Sequence, residues 1–358
     1  MSRENNKPIK AIFATLNGVS LTESDKRFLD YANPMGITLF GRNVSNKKQL
    51  ESLLKEVREV LERDDVLVSI DQEGGRVRRM TEPGWRAYAP QRVLGQIGKN
   101  SERLHAQLIA SDLKEVGINM NYAPVLDVLY ENTTSALRSR CFSENPMMVA
   151  SLGKTMVDEY IKNGVCPCVK HMPGHGRASV DPHLELPTLN YSLSELKKSD
   201  FYPFKMLNYA PAGMTAHVVI PEVDDKLPVT QSANGISKII RGEIGFDGLL
   251  IADALDMKAL KGSFGEKARA SFEAGVDAVC YYTLAEKDIY DICDNAEILS
   301  DKSYFRFEKI KNIIKNSCNI KGLDQIALDY ASMVKDGLEN YQEEYDATMV
   351  LTQMQDKS

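Results

Sequence analysis

The chain has 358 residues, a length that allows one large domain or two domains of ordinary size. With 43% hydrophobic and 26% charged residues, it cannot be a disordered, collagen-like or low-complexity protein. The formal net charge is −6, and the densest basic run, at residues 76–80, is too short to bind nucleic acid.

Hydropathy and cysteine usage bound the location of the protein. No run approaches the roughly 18 consecutive apolar residues of a transmembrane helix. The polar start predicts no signal peptide, so we expect a cytoplasmic protein that neither spans nor binds a membrane. Cys166 and Cys168 lie in an apolar run and are expected to be reduced and buried rather than metal-bound. We expect no metal and no other cofactor.

Short apolar runs alternate with helical patterns along the chain. Runs that are apolar on both faces are typical of buried parallel strands, and a stripe of apolar residues every three or four positions is typical of helices. In chain order the predicted strands lie in 11–18, 36–43, 66–75, 118–128, 165–176, 212–220, 248–257 and 275–283. The predicted helices are 45–63 with Ser45 as N-cap, 101–116, 145–163, 192–208 with a Ser192/Glu195 capping box, and 263–274.

Eight strand–helix cycles predict an α/β fold, a single-domain (β/α)8 TIM barrel spanning about residues 10–300. An open doubly wound sheet that binds a nucleotide is the alternative, but no G-x-G-x-x-G turn is present. Helical patterns at 286–299, 304–316 and 325–354 predict extra helices packed outside the barrel, in an extension of about 301–358. We favour one domain, 1–358, and a monomer.

Ionisable residues follow several predicted strands, where barrel enzymes place their chemistry. Asp71 ends the third strand, Lys170 and His171 end the fifth, His217 follows the sixth and Asp253 ends the seventh. A buried carboxylate such as Asp253 is costly unless it is paired or used, although Asp can also cap a following helix. The other strand ends favour a site over a helix cap.

Residues 170–187 contain glycines and prolines that exclude a helix, so they predict a long loop over the barrel mouth. Within it, Asp181-Pro182-His183 is expected to be extended, which points both ionisable side chains the same way. A carboxylate beside an imidazole raises the imidazole pKa and makes a general acid/base. A surface Asp–His pair without function is the alternative.

A metal-dependent hydrolase is a competing hypothesis for the same residues. His171, His175, His183 and Asp253 could act as ligands, but the first strand lacks the H-x-H start that such barrels often use. We favour a site without metal, and a structural role for His175, hydrogen-bonded beneath the loop.

The loop at residues 170–187 and six other blocks of the sequence resemble the β-N-acetylglucosaminidases of glycoside hydrolase family 3, in particular the bacterial cytosolic enzymes of peptidoglycan recycling. The run KHMPGHGRASVDPHLELP is similar to the family's K-H-[FI]-P-G-H-G…D-x-H…L-P loop. The blocks GITLFGRN, IDQEGGRVRRM, GINMNYAPVLDV, RSRCFSENP, MTAHVVIPEVD and IRGEIGFDGLLIADALDM follow the family's order and together cover about residues 10–285.

The resemblance implies a TIM barrel and a retaining exo-glycosidase acting through a covalent glycosyl-enzyme. The implied substrate is a small carbohydrate or muropeptide, N-acetylglucosaminyl-1,6-anhydro-N-acetylmuramic acid and its peptides. The implied catalytic residues are the nucleophile Asp253, the acid/base His183 and its partner Asp181. The implied sugar-binding residues are Asp71, Arg79, Arg140, Lys170 and His171.

The sequence departs from the family pattern at four places. Ala252 replaces a Ser or Thr before the nucleophile, Pro182 replaces the Ser of D-S-H, Cys141 precedes Phe142 where S-F is usual, and Arg177 stands where Asp is frequent. None of these removes a proposed catalytic group. A phosphorylase that uses the same residues, a catalytically weakened sugar-binding barrel and a metal-dependent hydrolase stay open as alternatives.

Overall fold

A computed structural model describes residues 7–98 and 100–341. In this part of the chain eight strands form one sheet in which every paired neighbour is parallel. They are β1 (Lys10–Ala14), β2 (Pro34–Leu39), β3 (Leu67–Ile70), β4 (Met120–Asn121), β5 (Cys166–Met172), β6 (Ala212–Thr215), β7 (Leu249–Ile251) and β8 (Val279–Cys280).

The sheet closes on itself, which confirms the predicted barrel. The strand order runs from β7 back to β1 and then to β8, and a parallel bridge joins Ile251 to Ala278 across the remaining gap. The predicted strands were too long, because the paired residues lie at or near the start of the first seven runs and in the middle of the eighth. β4 and β8 have two residues each, and the rest of each apolar run continues as loop toward the C-terminal rim of the barrel.

Helices surround the barrel. They are α1 (Glu23–Ala32), α2 (Lys47–Leu61), α3 (Gln91–Ile97), α4 (Ser101–Glu115), α5 (Ser135–Arg138), α6 (Pro146–Lys162), α7 (Leu193–Lys198), α8 (Tyr202–Met206), α9 (Phe264–Ala274), α10 (Glu286–Asn295), α11 (Asp301–Lys315) and α12 (Leu323–Glu339). A π-helix spans Gly235–Glu243, and short 3-10 turns span Gly41–Asn43 and Val229–Gln231.

Two helix predictions are corrected by the structure. The second helix begins after Asn46, whose side chain accepts a hydrogen bond from the Gln49 N–H, so Asn46 rather than Ser45 is the N-cap. The helix predicted over 192–208 is two helices, α7 and α8, and Ser192 and Glu195 do form the capping box of α7. Pro203 lies in the first turn of α8, where a missing N–H is tolerated, and it could not have continued α7.

The interior of the barrel is a separate apolar layer beneath the rim. Cys166 and Cys168 on β5 point into it, as do Met120, Leu249 and Ile251. Both cysteines are free and buried, as predicted. Because side chains alternate along a strand, the next inward position on β5 after Cys168 is Lys170. The packed interior therefore ends at a charged residue, at the rim.

Of the C-terminal helices, α12 lies against α3 and α4, outside the barrel as expected. In contrast, α11 contacts β5 and β7 and adds Phe307 and Ile310 to the apolar interior. Tyr330 and Val334 are the buried residues of α12. The predicted continuation of this helix to Met354 falls on residues 342–358, which lie outside the described residues. Within the described ranges, no helix combines the length and apolar character that crossing a membrane requires.

Gly95 in α3 packs tightly against the backbone of Phe142. A methyl group added at Gly95 would collide with the carbonyl oxygen of Phe142. Alanine gains about 1 kcal/mol over glycine in a helix. Overpacking against an unyielding backbone typically costs about 1–3 kcal/mol. We expect Gly95→Ala to lower the free energy of unfolding by roughly 1–2 kcal/mol, measured by urea denaturation.

Gly18 is the matched control, because no atom lies within 4 Å of the place that an added methyl group would occupy. Gly18→Ala should leave stability unchanged. A stabilised Gly95→Ala variant would show that the contact between α3 and Phe142 relaxes more readily than the geometry indicates.

Candidate active site

A cavity of about 140 Å³ opens at the C-terminal ends of the strands. All eight residues proposed from the sequence as catalytic or sugar-binding line it: Asp71, Arg79, Arg140, Lys170, His171, Asp181, His183 and Asp253. Asp71 follows β3 directly, Lys170 and His171 lie near the end of β5, and Asp253 lies two residues beyond β7. Parallel strands end at the same rim, and this brings distant parts of the chain together.

Buried charges of both signs meet at one side of the cavity. The Lys170 ammonium donates to Asp71 at 2.7 Å and lies 2.6 Å from Glu73. Arg140 binds Glu73 with two parallel hydrogen bonds of 2.9 and 2.8 Å. Burial opposes the charge of Glu73, but Arg140 and Lys170 outweigh it and hold the Glu73 pKa well below its usual range. The cluster of Asp71, Glu73, Arg140 and Lys170 is thus charge-balanced.

His171 is oriented by a carboxylate that the sequence patterns did not single out. Its Nδ1 lies 2.7 Å from Asp127, which is fully buried, and its Nε2 lies 3.4 Å from the Arg140 guanidinium. Because arginine can only donate, Nε2 is the accepting nitrogen and Nδ1–H donates to Asp127. His171 reaches the cavity beside Lys170 because the pairing of β5 with β6 shifts register between Val169 and Met172.

Asp181 and His183 form the predicted pair, but with a different backbone conformation from the one expected. The segment is a turn, so the expectation of an extended Asp-Pro-His segment was wrong. One Asp181 oxygen accepts from the His183 backbone N–H at 2.9 Å and from Nδ1 at 2.8 Å. Burial lowers the His183 pKa, but Asp181 outweighs burial and raises it above its ordinary value. The Nε2 edge of the ring is the one left to face the cavity.

Asp253 does not cap a helix. The next helix, α9, begins at Phe264 and is capped by Ser263, so the helix-cap alternative is excluded. The Ala254 N–H donates to Asp253 Oδ1 at 2.8 Å. Burial would raise the Asp253 pKa, but the balance of its surroundings brings that pKa below its ordinary value. Any positive charge on the His171 and His217 rings lowers it, and so does the Ala254 N–H, which bonds to the ionised form. Asp253 is therefore an ionised carboxylate at the cavity wall.

His175 also lines the cavity, but the hydrogen bonding of its ring differs from the one expected. Its backbone N–H donates to Asp127 at 2.7 Å. Both ring nitrogens are buried without a hydrogen-bond partner in the described part of the chain, so the predicted hydrogen-bonded imidazole was wrong. Burial lowers the His175 pKa to about 4, which keeps the ring neutral.

The loop that carries Asp181 and His183 is held at two places. Arg177 lies between the rings of Tyr130 and Tyr191, at 4.2 and 4.3 Å, and donates to Asp200 at 2.7 Å. The carbonyl of Pro182 accepts from the Ala259 N–H at 3.1 Å, which joins this loop to the segment after Asp253. Two departures from the family pattern, Arg177 and Pro182, are thus accommodated by the structure.

Sequence reasoning missed two carboxylates, Glu73 and Asp127. Asp127 ends the fourth predicted strand just as Asp71 and Asp253 end theirs, so the same signal was present there. Glu73 gives no such signal, because only the fold brings it to Arg140 and Lys170. Across residues 7–98 and 100–341, no group of three or more His, Cys, Asp or Glu side chains is arranged to hold a metal ion.

This arrangement is that of a barrel glycosidase, and comparison with known proteins agrees. Residues 14–311 match the glycosyl hydrolase family 3 N-terminal domain. The chain is 38% identical to a β-hexosaminidase of Neisseria meningitidis serogroup A over 285 residues, covering 76% of this chain and 78% of that protein. The chain belongs to glycoside hydrolase family 3.

Two solved structures are similar over most of this chain. NagZ from Neisseria gonorrhoeae in complex with N-trifluoroacetyl-D-glucosamine has a TM-score of 0.80 and 30% identity, covering 91% of this chain and 98% of that one. A family 3 β-N-acetylglucosaminidase from Paenibacillus sp. has a TM-score of 0.82 and 28% identity, covering 90% of this chain and 67% of that one.

The bond between Asp181 and His183 predicts a pKa change that NMR can measure. In Asp181→Asn the carboxylate is lost while burial persists, so the His183 pKa should fall below the ordinary value of about 6.5. A titration followed by the 13C or 15N shifts of the His183 ring measures it. Asp301→Asn, at an exposed position in the first turn of α11, is the control and should change nothing. An unchanged His183 pKa in Asp181→Asn would show that Asp181 does not set it.

Proposed function

We propose that this protein is a retaining, exo-acting β-N-acetylglucosaminidase that removes terminal N-acetylglucosamine from peptidoglycan fragments. Its family and its β-hexosaminidase relatives make it a glycoside hydrolase of the β-N-acetylhexosaminidase type that acts on a carbohydrate. The further steps rest on one observation. An ionised carboxylate, Asp253, and a carboxylate-paired imidazole, His183, line the same small cavity.

In the first step, a carboxylate oxygen of Asp253 attacks the anomeric carbon and forms a covalent glycosyl-enzyme. The glycosidic C–O bond breaks, and the leaving oxygen takes the Nε2 proton of charged His183. In the second step, His183 accepts a proton from water, and that water displaces Asp253 from the sugar. Asp181 supports the charged imidazole, because its carboxylate favours the protonated form.

The charged cluster supports sugar binding in the same cavity. Lys170, Arg140 and Arg79 offer donors to sugar hydroxyls, and Asp71 offers an acceptor. We assign His171 to the same role, with its orientation set by Asp127. The cavity volume of about 140 Å³ suits a single sugar unit, which favours release from a chain end.

The substrate proposal rests on the similarity of the solved structures. NagZ from Neisseria gonorrhoeae binds N-trifluoroacetyl-D-glucosamine, an N-acylated glucosamine. We therefore place N-acetylglucosamine in this cavity. As the leaving group we propose a 1,6-anhydro-N-acetylmuramic acid unit, with or without peptide, which is what the resemblance to the peptidoglycan-recycling enzymes implies. We further propose that residues 1–358 form one domain that acts in the cytoplasm as a monomer.

The first test is release of nitrophenol from 4-nitrophenyl N-acetyl-β-D-glucosaminide by the purified protein, with EDTA present. We expect turnover by the wild type and a loss of at least about a thousandfold in Asp253→Ala, because the nucleophile is gone. Asp301→Asn is the control for handling and should match the wild type. Asp253→Ala activity within tenfold of the wild type would refute the nucleophile assignment. Repeating the assay with phosphate and analysing the sugar product distinguishes hydrolysis from phosphorolysis.

A second test addresses the acid role of His183. In His183→Ala we expect the rate on a muropeptide to fall much further than the rate on the activated aryl glycoside, because only the muropeptide's poor leaving group needs a proton. We expect the two losses to differ by at least about tenfold. Equal losses on both substrates would count against general acid catalysis by His183.

A further inference from the structure

Two buried histidines that the proposed reaction does not use, His105 and His217, have the same hydrogen-bonding pattern. In both, Nδ1 faces a hydroxyl group: Tyr330 at 2.9 Å for His105, and Thr230 at 2.8 Å for His217. In both, Nε2 faces a backbone carbonyl: that of Glu73 at 2.9 Å, and that of Ala254 at 3.2 Å. Both rings are fully buried.

These partners fix the tautomer of each ring. A carbonyl oxygen only accepts, so Nε2 carries the proton, and Nδ1 accepts a hydrogen bond from the hydroxyl. The Tyr330 oxygen in turn accepts from the Ala89 N–H at 2.9 Å. Burial lowers the pKa of His105 to about 4. We call this series of hydrogen bonds, from Ala89 through Tyr330 and His105 to Glu73, the Tyr330–His105 chain.

A second series of hydrogen bonds runs through His217, again from a hydroxyl group to Nδ1 and from Nε2 to a backbone carbonyl. The Thr215 and Thr230 hydroxyls are 2.7 Å apart. The Thr230 hydroxyl lies 2.8 Å from His217 Nδ1 and 3.1 Å from the Ala216 carbonyl, and we assign its hydrogen to the nearer ring nitrogen. Burial lowers the His217 pKa, which keeps this ring neutral as well. We call this series of hydrogen bonds, from Thr215 through Thr230 and His217 to Ala254, the Thr230–His217 chain.

Each chain ends at a peptide group beside a charged residue of the cavity. The carbonyl of Glu73 is held by His105, and the Glu73 side chain binds Arg140 and Lys170. At the other side, the carbonyl of Ala254 is held by His217, while the N–H of Ala254 donates to Asp253 Oδ1. One chain thus supports the sugar-binding cations, and the other supports the carboxylate oxygen of the nucleophile.

We propose that His105 and His217 are positioning residues, one for each half of the active site. His105 acts through Glu73 on sugar binding, and His217 acts through Ala254 on the attacking carboxylate. The proposal rests on the proposed function for the roles of those two halves. It also gives the C-terminal helix α12 a part in the site, because Tyr330 lies beyond residues 14–311 that match the family domain.

Two isosteric variants that each remove one hydroxyl group test this division. Tyr330→Phe should raise the inhibition constant of N-acetylglucosamine about fivefold and leave kcat within about twofold. Thr230→Val should lower kcat at least about tenfold and leave the same inhibition constant within about twofold. The inhibition constant reports ground-state binding, so it does not depend on which chemical step limits kcat.

Control variants separate positioning from packing. Val334→Ala removes buried volume from the same face of α12 as Tyr330, and Val229→Ala does so next to Thr230. Both should lower the melting temperature and leave kcat and the inhibition constant near wild-type values. Thr230→Ser keeps the hydroxyl and should retain most of the wild-type kcat. If Tyr330→Phe and Thr230→Val change kcat and inhibition alike, or neither, the proposal is overturned.

A measurement without turnover tests the two chains separately from the proposed function. Ring 15N shifts of His105 and His217 at neutral pH should show neutral imidazoles protonated at Nε2. Tyr330→Phe should shift only the Nδ1 signal of His105, and Thr230→Val only that of His217. Rings protonated at Nδ1, or charged, would overturn the proposal. A wild-type protein that shows these tautomers and does not hydrolyse the glycoside would refute the proposed function alone.

Discussion

The active site depends on the burial of Glu73 between two cations. A carboxylate without solvent is tolerated only when it is paired and hydrogen-bonded, and here Arg140 and Lys170 provide both conditions. Removing one member of such a buried set typically costs about 3–5 kcal/mol, because the other charges are left uncompensated. The same bonds hold the two cations still, so the stability of this region and the geometry of the cavity have one cause.

The barrel explains why these charges can meet. Glu73, Arg140 and Lys170 come from three distant parts of the sequence, and only a closed parallel sheet brings the ends of their strands and loops to one rim. The interior below, to which Cys166 and Cys168 on β5 belong, is a cluster of apolar side chains and, among the described residues, holds no charge that could pair with Lys170. The Lys170 ammonium must therefore find its partners at the rim, where Asp71 and Glu73 lie.

Periodicity and strand-end chemistry predicted the barrel, the order of its elements and eight residues that line one cavity. Apart from the pair Asp181 and His183, they could not predict which of those residues touch one another. The role of Glu73 could be recognised only from the structure, because its partners Arg140 and Lys170 are distant in the sequence. The Asp181–His183 pair was expected from extended backbone, whereas a turn produces it, because a single carboxylate oxygen binds both the His183 N–H and its ring. Local geometry of that kind depends on the whole loop.

Three of the histidines show how the surroundings of an imidazole decide its protonation state and its role. His183 is partly exposed and paired with a carboxylate, so its pKa is raised and it can hold a proton near neutral pH. His105 and His217 are fully buried with hydroxyl and carbonyl partners, so they stay neutral and can only orient the backbone. A charged ring at either position would present a second N–H where a hydroxyl already donates. Burial thus keeps His105 and His217 out of proton transfer, whereas the half-exposed His183 faces the cavity with a raised pKa.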